Sequence, residues 1–263
     1  MMIFDSDPNS RREFLAVVAA GAAAMLGCGS NSTSPFGEDP GGGSARLTAR
    51  PGTPSTTVAP GSTSITAGTP TDGVLVVPSS YTPSQPMPLV LGLHGAAGTA
   101  AGQVNLLGAL AESQGFVLLA VGARGITWDV ISSRFSYDVA FIDDALAWAF
   151  ERCAVDPTRI AVEGFSDGAS YALGLGLANG DLFTRIIAFS PGFIPRSDSP
   201  AVGKPRVFDS HGTQDTVLRI DNASRRIVPM LRDRGHDVTY VEFNGGHGAP
   251  PEIVTQAIEW LVA

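Results

Sequence analysis

Cysteine is almost missing from this chain: Cys28 and Cys153 are its only two in 263 residues. A disulfide framework is therefore excluded, and no Cys or His stands at ligand spacing from Cys153, which excludes a thiolate metal site there. Charge is sparse too, at 16% of residues, and lopsided: 17 Lys and Arg face 25 Asp and Glu, a formal net charge of −8. No basic run occurs outside the N-terminus. Nucleic acid and anionic membrane surfaces both want clustered Lys and Arg, so neither is expected as a main partner. The uncharged stretch from Phe14 to Leu26 stops at 13 residues, short of the roughly 20 a bilayer-spanning helix needs. There is no internal repeat, no G-x-x-x-x-G-K-[ST] phosphate loop and no metal-ligand set, and no cofactor is implied. "GLGLANG" (174–180) has the look of a dinucleotide loop, but it lies inside a helical pattern rather than at its start.

What is present begins with a targeting segment. Arg11-Arg12 precedes the apolar stretch, and Ser10-Arg11-Arg12-Glu13-Phe14-Leu15 resembles the twin-arginine export signal. "MLGCGS" then resembles a bacterial lipobox, which implies acylation of Cys28. Leu26 departs from the usual small residue there, and ordinary cleavage nearby is the alternative. Loss of residues 1–27 removes two arginines and three acids, so the balance stays acidic. With lipid on Cys28, Cys153 has no disulfide partner; it ends an apolar helical pattern and reads as a small core hydrophobe. Residues 28–44, rich in Ser, Gly and Pro, read as a flexible tether. The folded domain is expected over 45–263, and the 44% hydrophobic content suits one domain with a substantial core.

From there the pattern alternates. Apolar runs at 73–78, 88–95, 116–123 and 158–165, with "TRIIAFSPG", "KPRVFDSHG" and "DVTYVEFNG", predict strands. Helical spacing marks 103–115, 137–153 and 167–179, with Val139, Ile142, Leu146 and Phe150 forming one stripe. Two more helices, "NASRRIVPMLRDRG" and "PPEIVTQAIEWLVA", complete the series. Strands alternating with helices predict an α/β fold with a mostly parallel sheet, flanked by helices and edged by an antiparallel start. Ligands of such sheets bind beyond the C-terminal strand ends.

Position therefore tests each candidate. "VEGFSDGAS" (162–170) places Ser166 between the strand "RIAVEGF" and the helix that follows, within G-x-S-x-G. Glycines there let strand and helix approach, and the helix N-terminus points free N–H groups at the site. A serine hydroxyl needs a base, and the base needs an acid. His247 in "FNGGHGAPPE" follows the last strand on a glycine-flanked loop and is the chosen base. Asp215, after "PRVFDS", is the chosen acid; a helix cap is its competing reading. His236 reads as solvated surface. His94 and His211 each precede Gly at a strand end and are expected to shape turns there, with His94 also a substrate-lining candidate. Trp128 is expected either to line a pocket or to roof the core. The amides of Ala96 and Asp167 are the expected oxyanion hole.

"GFSDGAS", "LHGAAG", "SHGTQD" and the late Gly-His resemble the α/β-hydrolase superfamily. More narrowly they resemble the phospholipase/carboxylesterase family, with the polyhydroxybutyrate depolymerase and feruloyl esterase group as neighbours. "RGITWDVI" and the stretch from Asp138 to Gly168 share the likeness, which covers about residues 70–263. The resemblance implies an α/β-hydrolase fold, a nucleophile at Ser166, an acid at Asp215, a base at His247 and oxyanion donors at Ala96 and Asp167. Asp167 departs from the Gln or Asn of many relatives, and its carboxylate is expected to disfavour anionic substrates. Only sixteen residues, "SPGFIPRSDSPAVGKP", lie where larger lipases insert a cap, so no cap domain and an open site are expected. The expected activity is hydrolysis of short or small acyl esters on a small-molecule or polymer-end substrate. Alternatives are a polyester or feruloyl-ester depolymerase, or a non-catalytic surface lipoprotein. The expected protein is exported and monomeric, touching membrane only through a lipid anchor.

Overall fold

The computed structural model describes residues 43–65 and 73–263. The export segment, Cys28 and the tether up to residue 42 lie outside the described residues. The elements in chain order are β1 (Gly61–Ile65), β2 (Gly73–Val77), β3 (Met87–Leu93), α1 (Ala100–Gln114), β4 (Val117–Val121), α2 (Asp129–Ser132) and α3 (Tyr137–Phe150). They continue as β5 (Val155–Phe165), α4 (Asp167–Ala178), β6 (Arg185–Phe189), β7 (Arg206–Gly212), α5 (Ser224–Asp233), β8 (Val238–Phe243) and α6 (Pro251–Val262). The strands form one sheet in the order β1-β2-β4-β3-β5-β6-β7-β8. β1 and β2 are antiparallel to their neighbours; every other pairing is parallel.

The sequence explains the layering. β4 is "VLLAV", buried at every position, as a parallel strand covered on both faces must be. One face carries α1 and α6, where Leu107 and Ala111 pack with Val254 and Ile258. The other carries α3, α4 and α5, and Val139, Ile142, Leu146 and Phe150 all turn inward there. Thr99 caps α1 by accepting from the Gly102 N–H at 3.0 Å, and Gly115 ends it in the left-handed region at φ 72°. Residues 190–205 between β6 and β7 contain no helix, so the α/β-hydrolase-like fold has no cap in that position.

Two features depart from the sequence expectation. β1 was not expected; "GSTSI" is polar and mostly exposed, so it has no apolar alternation to betray it. The short α2 was also missed. Among the described residues, the Gly43 carbonyl already accepts from the Asp198 N–H at 2.9 Å. A strap then crosses α3 and α4. The Asn179 side chain accepts from the Leu47 N–H at 2.9 Å and donates to the Ala45 carbonyl at 2.6 Å. Asp143 accepts from the amides of Thr48 and Ala49, each at 2.8 Å.

Two acids are sealed in the sheet. Glu163 on β5 is fully buried and takes a hydrogen bond from the Gln103 amide, while its Oε1 has no partner among the described residues. Burial pushes it from 4.5 up to about 8, against the Gln103 bond. Asp209 on β7 is equally buried, and burial pushes it up to about 7. A raised folded value means a contribution fully present below the unfolded value and lost as pH rises through the folded one. Glu163→Gln is therefore expected to gain stability over the wild type as pH rises from about 4.5 to about 8, and to gain no more above that. Urea midpoints of both proteins across that range check it; a difference that does not vary with pH would refute it.

Candidate active site

Ser166 sits between β5 and α4 with φ 56° and ψ −118°. A non-glycine residue at positive φ is strained, by about 1–3 kcal/mol, and persists only where the surroundings enforce it. They do so here. A Cβ on Gly164 would lie 2.2 Å from the Gly168 carbonyl oxygen, and one on Gly168 would lie 2.3 Å from the Leu93 carbonyl oxygen. Strand and helix are thus in direct backbone contact, and the turn between them thrusts Ser166 upward. The Ser166 N–H still bonds the Phe189 carbonyl at 2.9 Å, so the turn is fixed to β6.

His247 follows β8, and its Nε2 lies 2.8 Å from Ser166 Oγ. Its Nδ1 lies 2.6 Å from Asp215 Oδ2. Asp215 is acceptor-only when ionised, so Nδ1 carries the proton and donates, and Nε2 accepts from the serine hydroxyl. The Asp215 side chain is wholly shielded from solvent and that of His247 is 12% exposed. Asp215 Oδ1 accepts from the amides of Val217 at 2.8 Å and Leu218 at 2.9 Å, and Oδ2 also receives His211 Nε2 at 3.1 Å. Burial works to raise this carboxyl, but bonds from His211, His247 and the Leu218 amide outweigh it and hold it well below the usual carboxylate range. The line can take a proton from Ser166 and stabilise the resulting imidazolium.

The expected oxyanion donors lie beside the serine. Asp167 opens α4, so its N–H is outside the helical ladder. In the loop after β3, a Cβ on Gly95 would lie 3.3 Å from Ser166 Cβ, which places that loop next to the nucleophile. Ala97, at φ 56°, donates its N–H to the Ile126 carbonyl at 2.8 Å, and the Gly98 N–H bonds the Gly95 carbonyl at 3.0 Å. These bonds set the turn that carries Ala96. The Asp167 carboxyl accepts from Thr127 Oγ1 at 2.6 Å; burial raises its pKa, against that bond and the charges of His247 and His94.

The substrate-lining expectation for His94 and Trp128 is corrected. Trp128 is fully buried, and its indole N–H donates to the His94 carbonyl at 2.7 Å. Its ring packs at a 40° tilt against Tyr171 and roofs the core. His94 is 4% exposed; its Nε2 accepts from the Ala123 N–H at 3.0 Å, so Nδ1 carries the proton donated to the Gly95 carbonyl at 2.7 Å. Burial first, against that bond, lowers its pKa. It braces the loop after β3. His236 is also buried rather than solvated, its Nδ1 3.0 Å from the Pro205 carbonyl. Cys153 is buried and unpaired, and burial pushes its thiol up to about 11.

Sequence reasoning missed three contributors. Phe165 packs at a 40° tilt against the His247 ring, centroids 5.0 Å apart. Ser190, at φ 52°, donates its hydroxyl to the Gly248 carbonyl at 2.9 Å and so ties down the histidine loop. His211 holds Asp215; "SHGTQD" carried the signal, a His at a strand end four residues before the acid. Among the described residues no group of three or more His, Cys, Asp or Glu is arranged to hold a metal ion.

The family model for "Phospholipase/Carboxylesterase" matches residues 129–263, just over half of the chain. The chain belongs to the phospholipase/carboxylesterase family. The matched stretch contains Ser166, Asp215 and His247, whereas the β3 loop with Ala96 lies before it. No curated protein matches this family member in sequence. Among solved structures it is similar to esterase PE8, at 22% identity and TM-score 0.59 over 72% of this chain and 97% of that one. It is similar to the Bacillus cereus carboxylesterase, at 18% identity and TM-score 0.59 over 74% and 95%. It is also similar to a fluorophosphonate-binding serine hydrolase of Staphylococcus aureus, FphF, at 14% and TM-score 0.60 over 78% and 100%. At these identities the likeness speaks for the fold: this family member has an α/β-hydrolase-like sheet with flanking helices.

Gly168→Ala tests the packing that exposes Ser166. The added methyl meets two carbonyl oxygens, of Leu93 and His94, and overpacking of this kind costs about 1–3 kcal/mol. A lowered urea midpoint, with a loss of Ser166 reactivity larger than the stability loss explains, is the expected outcome; a variant as stable and reactive as the wild type would refute it.

Proposed function

We propose that this chain hydrolyses carboxylic esters of short or small acyl groups through an acyl-enzyme on Ser166. The observation that carries the reading is the unbroken hydrogen-bonded line from Ser166 Oγ through His247 to Asp215, with the serine held at positive φ on a helix N-terminus. His247 Nε2 takes the hydroxyl proton as Ser166 Oγ attacks the ester carbonyl. The amides of Ala96 and Asp167 receive the oxyanion, an arrangement that stabilises charge only as it develops. The protonated His247 then gives its proton to the departing alkoxide, and the alcohol leaves. Water follows the same path: His247 takes its proton, the hydroxide attacks the acyl carbon, and Ser166 departs with the proton returned. Asp215 fixes the tautomer throughout. No step calls on a cofactor.

A second reading, a depolymerase of polyesters or feruloyl esters on the same residues, is favoured by the lack of a helix in residues 190–205. A site without a cap admits a chain end as readily as a small ester. The Asp167 carboxyl, one residue from the nucleophile, disfavours anionic groups in either case. Our proposal for location is that residues 1–27 direct export and that Cys28 is acylated or lies near an ordinary cleavage point. The mass of the mature N-terminus separates these. The exported domain acts as a monomer.

A fluorophosphonate probe is expected to label the wild type, and Ser166→Ala is expected to abolish labelling. Asp215→Asn should lower kcat by about 10⁴-fold, the loss seen when a triad acid can no longer fix its histidine. Short p-nitrophenyl esters, feruloyl esters and polyhydroxybutyrate, compared side by side, rank the two substrate readings. Folded protein that neither labels nor exceeds background hydrolysis on that panel would sink the esterase reading.

A further inference from the structure

His211 ends at the tip of β7, four residues before Asp215, and its ring is fully buried. Both ring nitrogens are engaged. Nε2 lies 2.7 Å from the Leu218 carbonyl and 3.1 Å from Asp215 Oδ2. Both partners are acceptors, so Nε2 carries the proton and shares it between them. Nδ1 lies 2.8 Å from Ser224 Oγ, on the first residue of α5. In the neutral ring that nitrogen is bare, and the Ser224 hydroxyl donates to it. Ser224 is itself fully buried.

The loop that carries Asp215 needs such a support. Its first residues are tied to the end of β8: the Thr213 N–H bonds the Phe243 carbonyl and the Gln214 N–H the Gly245 carbonyl, each at 2.9 Å. The bonds from Val217 and Leu218 to Asp215 Oδ1 stay inside the loop, so they shape it without locating it. Across Asp215–Leu218, the Asp215 N–H reaches the Gly212 carbonyl at the end of β7 at 3.2 Å and so holds the backbone, whereas the hydrogen bonds that reach the Asp215 carboxyl and the Leu218 carbonyl from outside the loop, among the described residues, come from His247 and His211. His247 is on a glycine-flanked loop of its own. His211 is on β7, a strand paired on both sides, and is the more rigid reference of the two.

We propose that His211 is a positioning residue for Asp215: it grips Oδ2 and the Leu218 carbonyl from the sheet, while Ser224 sets its tautomer, so that Oδ2 faces His247. The inference rests on the Ser166–His247–Asp215 reading above. It makes the acid's orientation a property of β7 and α5 rather than of its loop.

The test compares His211→Leu, which removes both nitrogens, with His211→Gln, whose side-chain amide can still donate to the same acceptors. Two readouts are taken on folded protein: kcat and KM for p-nitrophenyl acetate, and the downfield proton resonance of the His247 Nδ1–H bonded to Asp215. The Leu variant is expected to lose about 10²-fold in kcat, as a small misplacement of a reacting group can cost, with KM little changed and the resonance broadened or lost. The Gln variant should recover most of both. A folded Leu variant with wild-type kcat and an unchanged resonance overturns the proposal, as does an equal loss in Gln and Leu. Should the wild type turn over no ester, the resonance alone decides: its loss in Leu supports positioning although the esterase reading has failed, and its persistence overturns positioning. If the Leu variant does not fold, Ser224→Ala is read in the same way, with a smaller loss of kcat and a broadened resonance expected; no change in either overturns the proposal.

Discussion

Everything at this site depends on backbone touching backbone where α4 meets the sheet. Gly164 and Gly168 leave no room for a single extra carbon, because the nearest atoms are carbonyl oxygens of Gly168 itself and of Leu93. That contact fixes the distance from strand to helix. The connecting residue then has only a strained conformation open to it, and Ser166 takes it. The strain is small against the burial of α4, whose residues from Gly168 to Ala178 are all buried. The helix therefore holds the serine in place, and the serine does not hold the helix.

Around that contact the three side chains gather from three strand ends: Ser166 after β5, Asp215 after β7 and His247 after β8. Parallel neighbours put all their C-terminal ends on one rim, so residues 81 positions apart in sequence come within hydrogen-bond reach. The acid is the most heavily bonded of the three. Its two oxygens receive two amides and two imidazoles, and that number of donors explains how a shielded carboxylate stays ionised. The contrast with Glu163 is instructive: equally hidden from water, it has one donor and sits at about 8.

Much of this was legible in the sequence, for identifiable reasons. Strands buried on both faces announce themselves as unbroken apolar runs, so β3 to β7 could be read. Glycine flanks and strand-end positions pointed to Ser166, Asp215 and His247. What escaped reading were features whose signal is tertiary. β1 is a polar edge strand paired on one side, so "GSTSI" has nothing to alternate. His236 lies between charged residues and is nonetheless buried against the Pro205 carbonyl. Trp128 follows a polar loop, yet the His94 carbonyl draws its indole inward. Residue type and neighbours say which groups are able to bond; only the fold says which partner arrives.

The strap at residues 43–49 has a geometric consequence. It is bolted to Asn179, at the far end of α4 from Ser166. The twelve residues of the helix separate those two points, about 20 Å at helical rise. The strap therefore grips α4 at its foot, a full helix length from the rim that bears the nucleophile.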